Sequence, residues 1–232
     1  MLFDPISAIR VFPMRSLLKW IWRGKTLTRA LLNSRLEAEP PLIGRIIDLG
    51  GGGSPSYKKL LKVQGAFVNM DRIEEARPTV VGNLETTYPF VTSCADVAIL
   101  FNTLEHVFDY QHVVNEMRRI LKPGGRALVY VPFIFPMHIH QTEEFLVDDY
   151  FRYTKSSLKR IFIGSGFSKV EIEPMGGLFF VVAEFLGFAI VHRMLRFPVY
   201  AIFLILENMY VRIRPGVSSQ RYPLAYFVVA QK

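Results

Sequence analysis

Residues 46–55, Ile-Ile-Asp-Leu-Gly-Gly-Gly-Gly-Ser-Pro, restrict the possible folds of this 232-residue chain more than any other stretch. The β-branched residues and the leucine are typical of the end of a short buried strand. Four glycines then allow a sharp turn. Ser54 and Pro55 are typical of the N-cap and first residue of a helix, which the pattern extends to Leu61. Such an arrangement lets a ligand approach bare backbone at a helix N-terminus, and it predicts an open α/β sheet with a ligand at the carboxyl ends of its strands.

Two other interpretations of the glycine turn are a dinucleotide site and a purely structural turn. A dinucleotide site needs G-x-G-x-x-G, because the third glycine permits close packing of helix against strand. Gly50 and Gly52 match this pattern, but Pro55 stands at the third position. The acid at Asp48, directly before the turn, is also foreign to that fingerprint.

The segment Asp48-x-Gly50-x-Gly52 resembles the first motif of class I S-adenosylmethionine (SAM)-dependent methyltransferases. Four later segments resemble the same family in the same order. They are Asn69-Met70-Asp71, Gly82-Asn83-Leu84, Asn102-Thr103-Leu104-Glu105-His106-Val107 and Leu121-Lys122-Pro123-Gly124-Gly125. The resemblance covers roughly residues 44–175 and resumes at about 222–232. It implies a methyltransferase (EC 2.1.1.-) with SAM as its cofactor.

The resemblance also implies the fold. We expect an α/β, Rossmann-like seven-stranded sheet of strand order 3-2-1-4-5-7-6, with an antiparallel last strand and helices on both faces. The strands are expected at 43–49, 66–70, 79–81, 95–101, 126–131, 168–172 and 224–230. Helices are predicted over 26–37, over 111–121 and from Thr154, which suits an N-cap. The expected domains are a basic helical arm at 1–39 and a SAM-binding methyltransferase domain at 40–232, with an apolar helical insertion at 178–211.

Nine residues are expected to contact the cofactor. The resemblance implies that the backbone of Gly50, Gly51 and Gly52 approaches the amino-acid end of SAM. It also implies that Asp48 orders that loop and reaches the amine through water. Asp71 ends the second strand, and its carboxylate can accept two hydrogen bonds from the ribose hydroxyls.

The remaining cofactor contacts follow from the resemblance alone. Asn83 and Leu84 bracket the adenine, although the family often has an acid where Asn83 stands. Asn102 and Leu104 line the pocket wall. The neighbouring Glu105-His106 pair is interpreted as shaping the loop rather than as an acid/base pair.

The acceptor is expected to meet residues 132–140 and 148–154, which follow the fifth strand. They resemble one branch of the family, associated with bacterial surface glycans and lipid-linked sugars. His138 is the candidate general base and Asp149 its candidate partner. Arg152 either binds a substrate phosphate or pairs with a neighbouring aspartate. His138 and His140 form a His-x-His pair without a third ligand of clear spacing, so no metal ion is predicted.

The charge distribution favours an anionic partner. The chain has 28 Lys and Arg against 20 Asp and Glu, a net charge of +8. Within the arm, basic residues are interleaved with tryptophans, which is typical either of a membrane interface or of a helix with a solvated basic face. The basic residues are Arg10, Arg15, Lys19, Arg23, Lys25, Arg29 and Arg35. No nucleic-acid substrate is predicted, because the Asn/Asp-Pro-Pro-aromatic signature is absent after the fourth strand.

Residues 178–211 are strongly apolar, with charges at Glu184, Arg193, Arg196 and Glu207. These charges leave no uninterrupted run of roughly 20 apolar residues. We therefore expect two short helices hinged near 193–198. They either enter one membrane leaflet, form a homodimer contact or cover the substrate pocket. Together with the arm, they favour an anionic membrane surface as partner.

Cellular placement follows from local features. No signal peptide is predicted, since Asp4 and Pro5 interrupt the start. The single cysteine, Cys94, excludes an internal disulfide and agrees with a reducing cytoplasm. We expect a cytoplasmic protein, peripheral at the inner face of the cytoplasmic membrane.

The favoured function is O-methylation of a glycan or lipid-linked substrate at the membrane. Two alternatives stay open. One is methylation of a soluble small molecule or protein, with the insertion used for dimerisation. The other is a catalytically silent SAM-binding scaffold.

Overall fold

The computed structural model describes residues 13–138, 140–141 and 146–232. The chain divides into two compact units. The sheet unit is Glu39–Glu173 with Tyr226–Lys232, and the helical unit is Pro174–Ala225 with the described part of Met1–Ala38. The first twelve residues of the predicted arm lie outside the described residues.

A seven-stranded sheet carries the predicted strand order. In chain order the strands are β1 (Leu42–Leu49), β2 (Val63–Asp71), β3 (Val80–Val81), β4 (Ala95–Phe101), β5 (Leu121–Pro132), β6 (His140–Gln141), β7 (Leu146–Val147), β8 (Lys169–Met175) and β9 (Ala225–Gln231). The sheet order is β3-β2-β1-β4-β5-β9-β8, while β6 and β7 pair separately. This confirms the order 3-2-1-4-5-7-6.

The pairing directions also agree with the prediction. β1 runs parallel to β2 and β4, and β4 runs parallel to β5. Ser168 donates its backbone N–H to Gln231, and Leu224 donates to Met175, so residues late in β9 pair with residues early in β8. That crossing register is antiparallel, as expected for the last strand.

The core of the sheet unit lies between its central strands and two helices, α3 (Tyr110–Ile120) and α4 (Lys155–Gly164). The first two helices, α1 (Met14–Trp22) and α2 (Leu27–Glu37), belong to the helical unit. Asp109 caps α3 by accepting from His112 N at 3.0 Å, and Thr154 caps α4 by accepting from Ser157 N at 3.2 Å. Both predicted helices are confirmed.

The buried faces of α3 and α4 hold these two helices against the sheet. The fully buried core side chains of these helices are Val113, Val114, Met117, Ile120, Leu158 and Phe162. Each contributes roughly 1.5–3 kcal/mol by leaving water. The capping side chains and apolar spacing therefore position the loops that precede both helices.

The helix predicted after the glycine turn is wrong. Ser54 lies in a bend, residues 56–57 form a turn, and a short 3-10 helix covers Lys58–Leu60. β1 ends at Leu49 and β2 begins at Val63, which leaves too little chain for a glycine turn, a helix and a return. Lys62, with φ of 45°, ends the connection in a left-handed conformation directly before β2. Ser54 is consequently not an N-cap.

The helical unit also contains α5 (Leu178–Ala189), α6 (Arg193–Ile213) and α7 (Val217–Arg221). Glu184 of α5 has no exposed surface and accepts from the backbone N–H of Leu27 at 2.8 Å and of Thr28 at 3.1 Å. Its carboxylate thus caps the N-terminus of α2, where the helix dipole favours a negative charge. Glu184, one of the four charges that interrupt the apolar insertion, therefore binds the N-terminus of α2.

The predicted hinge at 193–198 is wrong, because α6 begins at Arg193 and continues through Pro198. The break between α5 and α6 lies at residues 190–192. Pro198 lies early in the helix, where its missing N–H removes one bond of the ladder. Among the described residues, α6 is the single helix long and apolar enough to cross a membrane, with a mean hydropathy of 1.4.

Candidate functional site

The glycine loop, residues 50–53, follows β1 and has no room for side chains at Gly50, Gly51 and Gly53; a Cβ atom on Gly53 would lie 1.9 Å from the Ala76 carbonyl oxygen. Gly50 and Gly52 have φ of 76° and 65°, in the left-handed region. A Cβ atom on Gly50 would lie 2.4 Å from Cγ2 of Thr103. A Cβ atom on Gly51 would lie 2.1 Å from Oδ2 of Asp48. The loop therefore packs closely against Asp48 and Thr103 and leaves its backbone uncovered by side chains of its own.

Asp48 lies under this loop without exposed surface. The Tyr57 hydroxyl is 2.9 Å from each of its carboxylate oxygens. Burial raises the pKa of Asp48 to about 7; the Tyr57 hydrogen bond lowers it, and the Asp71 charge raises it further. A cationic group placed at the loop would stabilise the ionised carboxylate, so the site fits an ammonium group.

Asp71 at the end of β2 holds the loop from the other side. Its Oδ2 accepts from Gly52 N at 2.9 Å, and its Oδ1 accepts from Ile73 N at 3.0 Å. A carboxylate has about four lone-pair sites, so these two bonds leave capacity for further donors. The structure therefore brings Asp71 and the glycine loop together, as the sequence predicts.

Tyr57 and Asn69 are supporting residues that the sequence interpretation did not single out. Asn69 is buried and donates its side-chain amide to the Gly52 carbonyl, while its Oδ1 accepts from Thr79 N at 3.0 Å. The signal for Asn69 was its place in the motif before Asp71. Tyr57 carried no signal, because it falls within the helix predicted up to Leu61, and that helix does not form.

The predicted adenine contacts follow β3. Gly82 donates to the Asp71 carbonyl at 2.9 Å, which ties this segment to the end of β2. Asn83 is exposed, and its Oδ1 accepts from Glu85 N at 3.0 Å within a turn. Leu84 is buried. The segment after β3 therefore lies next to Asp71, and Oδ1 of Asn83 already accepts a hydrogen bond within its own turn.

The predicted pocket wall follows β4. Asn102 is partly exposed and adopts a left-handed φ of 50°. Leu104 has no exposed surface and packs in the core of the sheet unit. Asn102 is thus the accessible member of the pair, and the Leu104 side chain belongs to the core.

The predicted catalytic residues lie together. His138 donates its backbone N–H to Oδ2 of Asp149 at 2.9 Å, and its Nδ1 lies 3.3 Å from the same oxygen. Arg152 forms a bidentate ion pair with Asp149 and donates to the Pro136 carbonyl at 3.1 Å. Of the two roles considered for Arg152, the structure shows pairing with Asp149.

Electrostatics separate the two candidate groups. Burial raises the pKa of Asp149, but the Arg152 hydrogen bonds lower it, and the net shift is downward. Attraction to the Glu105 carboxylate raises the pKa of His138, burial opposes this shift, and Asp149 adds to it. Asp149 is therefore held as a carboxylate, whereas His138 is the group suited to hold a proton.

Glu105 and His106 join this cluster, which the sequence interpretation missed. His106 Nε2 lies 3.1 Å from His138 Nε2, and Glu105 Oε1 lies 3.7 Å from the same His138 atom. His106 and His138 are 32 residues apart, so no local pattern indicated the contact. The side chain of His140 lies outside the described residues, so the His-x-His pair stays a prediction.

Comparison with known proteins points to one kind of domain. Residues 47–129 match the family model described as a methyltransferase domain. The ubiquinone/menaquinone biosynthesis C-methyltransferase UbiE of Vibrio parahaemolyticus is 30% identical over 103 residues, which are 37% of this chain and 40% of that protein. An uncharacterized methyltransferase of Mycobacterium sp. (strain KMS) is 38% identical over 58 residues, 25% of this chain and 23% of that protein. The chain therefore spans less than half the length of these curated relatives.

Solved structures share the fold over most of the chain. A SAM-dependent methyltransferase of Archaeoglobus fulgidus has a TM-score of 0.54 at 16% identity, covering 93% of this chain and 98% of that one. Phosphoethanolamine N-methyltransferase 2 of Haemonchus contortus, in complex with SAM, has a TM-score of 0.52 at 17% identity, covering 93% of this chain and 56% of that one. At these identities the likeness shows a common fold.

Proposed function

We propose that the chain is a class I SAM-dependent methyltransferase that binds SAM at the glycine loop and methylates an acceptor, because residues 47–129 match a methyltransferase domain. One observation carries this proposal. The carboxylates of Asp48 and Asp71 flank a loop whose backbone has no side chains in the way. An ammonium and a pair of ribose hydroxyls, both present in SAM, are the groups that such carboxylates bind.

Each residue of the loop has a separate task in this proposal. Gly50, Gly51 and Gly52 admit the amino-acid end of SAM to backbone N–H and C=O groups. Asp48 supplies the negative charge for the cofactor ammonium, and Asp71 accepts from the ribose hydroxyls. Asn102, which is partly exposed after β4, forms part of the pocket wall in this proposal.

In methyl transfer from SAM, the main contribution of the protein is to position the acceptor. When bound, SAM supplies a methyl group on a positively charged sulfur, which leaves readily. The chain holds an acceptor oxygen in line behind that methyl, which supplies roughly several kcal/mol of the barrier reduction. The acceptor proton then needs an exit, for which His138 is the candidate group. Asp149 holds His138 in place and, being paired with Arg152, is a poor proton acceptor.

The acceptor class is inferred from the helical unit. We propose that it is a glycan or a lipid-linked molecule at a membrane, because large apolar side chains of this unit are exposed to solvent. They are Val182, Phe185, Leu186, Phe188, Val191, Met194, Leu195, Ile202, Ile205, Leu206, Met209 and Ile213. Val191 is 88% exposed at the connection between α5 and α6. Apolar surface of this extent is unusual for a protein that contacts only water.

Cationic side chains accompany this surface. Arg23 and Arg193 line a pocket together with Trp22, Met194 and Phe197. Arginine beside exposed tryptophan suits the interface of an anionic bilayer, where the cation meets phosphate and the indole lies at headgroup depth. The proposed placement is therefore peripheral, at the inner face of the cytoplasmic membrane.

Methyl transfer from methyl-labelled SAM tests the proposed function directly. Wild-type protein is incubated with membranes and with soluble extract of the source cells, and the products are divided into lipid, polysaccharide, protein and small-molecule fractions. We expect label in the lipid or polysaccharide fraction. Asp71→Ala should abolish it, whereas Glu75→Gln, at a nearby exposed acid, should not.

The other outcomes contradict separate parts of the proposal. Label confined to protein or soluble molecules would contradict a membrane acceptor and favour a dimer contact for the helical unit. Label in no fraction, together with intact SAM binding by calorimetry, would favour a silent scaffold. Absence of SAM binding in the wild-type protein would contradict the assignment of the glycine loop.

A further inference from the structure

Three side chains of the sheet unit converge on one point. Glu105 and His106 follow β4, and His138 follows β5. The two Nε2 atoms are 3.1 Å apart, and Oε1 of Glu105 lies 3.9 Å from His106 Nε2 and 3.7 Å from His138 Nε2. Three potential ligand atoms, one from each residue, lie within 4.8 Å of one another.

The opposite nitrogen of each imidazole faces an acceptor. His106 Nδ1 lies 2.6 Å from the Asp148 carbonyl oxygen. His138 Nδ1 lies 3.3 Å from Oδ2 of Asp149 and 3.4 Å from the Pro136 carbonyl oxygen. These contacts favour a proton on Nδ1 of both rings, so that each Nε2 carries a lone pair and the two Nε2 atoms lie 3.1 Å apart. Histidine ligands of metal ions are oriented in this way by carbonyl and carboxylate partners.

Glu105 supplies an independent observation. Its side chain has no exposed surface, and within the described chain neither carboxylate oxygen has a hydrogen-bond partner. Its backbone carbonyl accepts from Tyr150 N at 2.9 Å, which holds the residue in place. A buried carboxylate without a donor is costly unless a positive charge lies beside it.

We propose that Glu105, His106 and His138 bind a divalent transition-metal ion through one carboxylate oxygen and two Nε2 atoms. Two nitrogen ligands about 2.0–2.1 Å from a tetrahedral zinc lie roughly 3.3–3.4 Å apart, close to the histidine separation found here. In such a site the carboxylate oxygen lies about 0.5 Å nearer to the two nitrogens than it does here. Two histidines and one carboxylate leave coordination positions open, and they suit Zn²⁺ or Fe²⁺.

The open coordination positions of the ion can hold the acceptor of the methyl group, a role that rests on the proposed function. A divalent ion that binds an acceptor hydroxyl lowers its pKa and yields a better nucleophile at neutral pH. The loop that carries Glu105 also contains Thr103, which abuts Gly50 of the glycine loop. In this arrangement His138 is a metal ligand instead of the proton acceptor, so the acceptor proton leaves to water, and Asp149 positions the His138 ring.

Cobalt titration of the full chain, freed of metal by a chelator and dialysis, tests the site without any turnover. Co²⁺ bound in a four- or five-coordinate site of two histidines and a carboxylate gives a visible d–d absorption that is shifted and much more intense than that of aqueous Co²⁺. We expect this band to saturate at one Co²⁺ per chain in the wild-type protein and to be displaced by Zn²⁺. Glu105→Gln and His138→Asn should each weaken Co²⁺ binding at least about tenfold.

A matched control is His192→Asn, which removes an exposed histidine of the helical unit and should leave the band unchanged. A thermal-unfolding series of the wild-type protein with Zn²⁺ keeps the test valid if a variant fails to fold, since a specific ion raises the midpoint. The proposal would be overturned if the wild-type protein gave no Co²⁺ band and its thermal-unfolding midpoint did not rise with Zn²⁺. Equal Co²⁺ affinity in all four proteins would also overturn it.

SAM titration of the same proteins separates the two proposals. SAM binding without Co²⁺ binding contradicts the metal site alone. Co²⁺ binding without SAM binding contradicts the cofactor assignment alone.

Discussion

Asp48→Asn should make the stability of the unliganded protein less dependent on pH. The pKa of the buried Asp48 is raised from 3.8 to about 7 in the folded state. Between these values the unfolded chain releases a proton that the folded chain keeps, so stability falls as the pH rises. The slope is about 1.4 kcal/mol per pH unit, and it vanishes above pH 7. From pH 5 to pH 8 this one group lowers the stability by about 3 kcal/mol.

Asp48→Asn does not lose stability in this way, because its amide does not titrate. The substitution keeps the volume of the side chain and an oxygen acceptor for Tyr57. Chemical denaturation of both proteins at pH 5 and pH 8 measures the effect. The difference in stability between variant and wild type should be about 3 kcal/mol more favourable at pH 8. Taking the difference cancels the groups that titrate equally in both proteins.

Tyr57→Phe is the matched control, because it removes the hydroxyl that lowers the pKa of Asp48. It should move the pH-dependent loss to higher pH. SAM affinity supplies a second readout: Asp48→Asn should bind SAM at least about tenfold more weakly, since the charge opposite the ammonium is gone. Equal pH dependence in wild type and Asp48→Asn would refute the argument from burial.

Three further predictions concern separate parts of the molecule. Gly50→Ala, which forces a Cβ atom to 2.4 Å from Thr103, should abolish SAM binding by calorimetry. Gly52→Ala, whose Cβ atom meets nothing nearer than 3.8 Å, should cost only about 1–2 kcal/mol of left-handed strain; equal losses would contradict the steric account. Glu184→Ala should destabilise the helical unit by about 3 kcal/mol, because it leaves buried N–H groups of α2 unpaired, and limited proteolysis should then cut within residues 13–38. Val191→Glu, at a valine that is 88% exposed, should weaken flotation with vesicles containing phosphatidylglycerol, whereas Val91→Glu, at a valine of the sheet unit that is 73% exposed, should not; equal flotation of both variants would argue against a membrane-binding helical unit.

Much of the fold was predictable because its signals are local. The apolar run over 95–101 indicates a strand buried on both faces, and β4 is such a strand. Asp109 and Thr154 cap helices through contacts three residues away, so short-range chemistry places α3 and α4. The strand order followed from the resemblance of the motifs, which lie at the ends of β1, β2, β3 and β4.

Two predictions about helices were wrong because the local preference of the residues did not determine the local structure. Ser54-Pro55 is a good helix start, but the distance in sequence from β1 to β2 leaves no room for the helix. Pro198 is a good helix breaker, yet α6 continues through it. The sequence alone therefore determined the sheet, helices α3 and α4, and the glycine loop with Asp48 and Asp71 as its candidate ligands.

Only the tertiary structure decided the contacts made by groups far apart in the chain. Glu184 caps a helix 156 residues earlier, and His138 meets His106 across 32 residues. Residue patterns report backbone preference and burial over a few neighbours, because those depend on nearby atoms. A buried carboxylate or a convergent pair of imidazoles depends instead on which loops the sheet brings to the same edge, and that is set by packing of the whole unit.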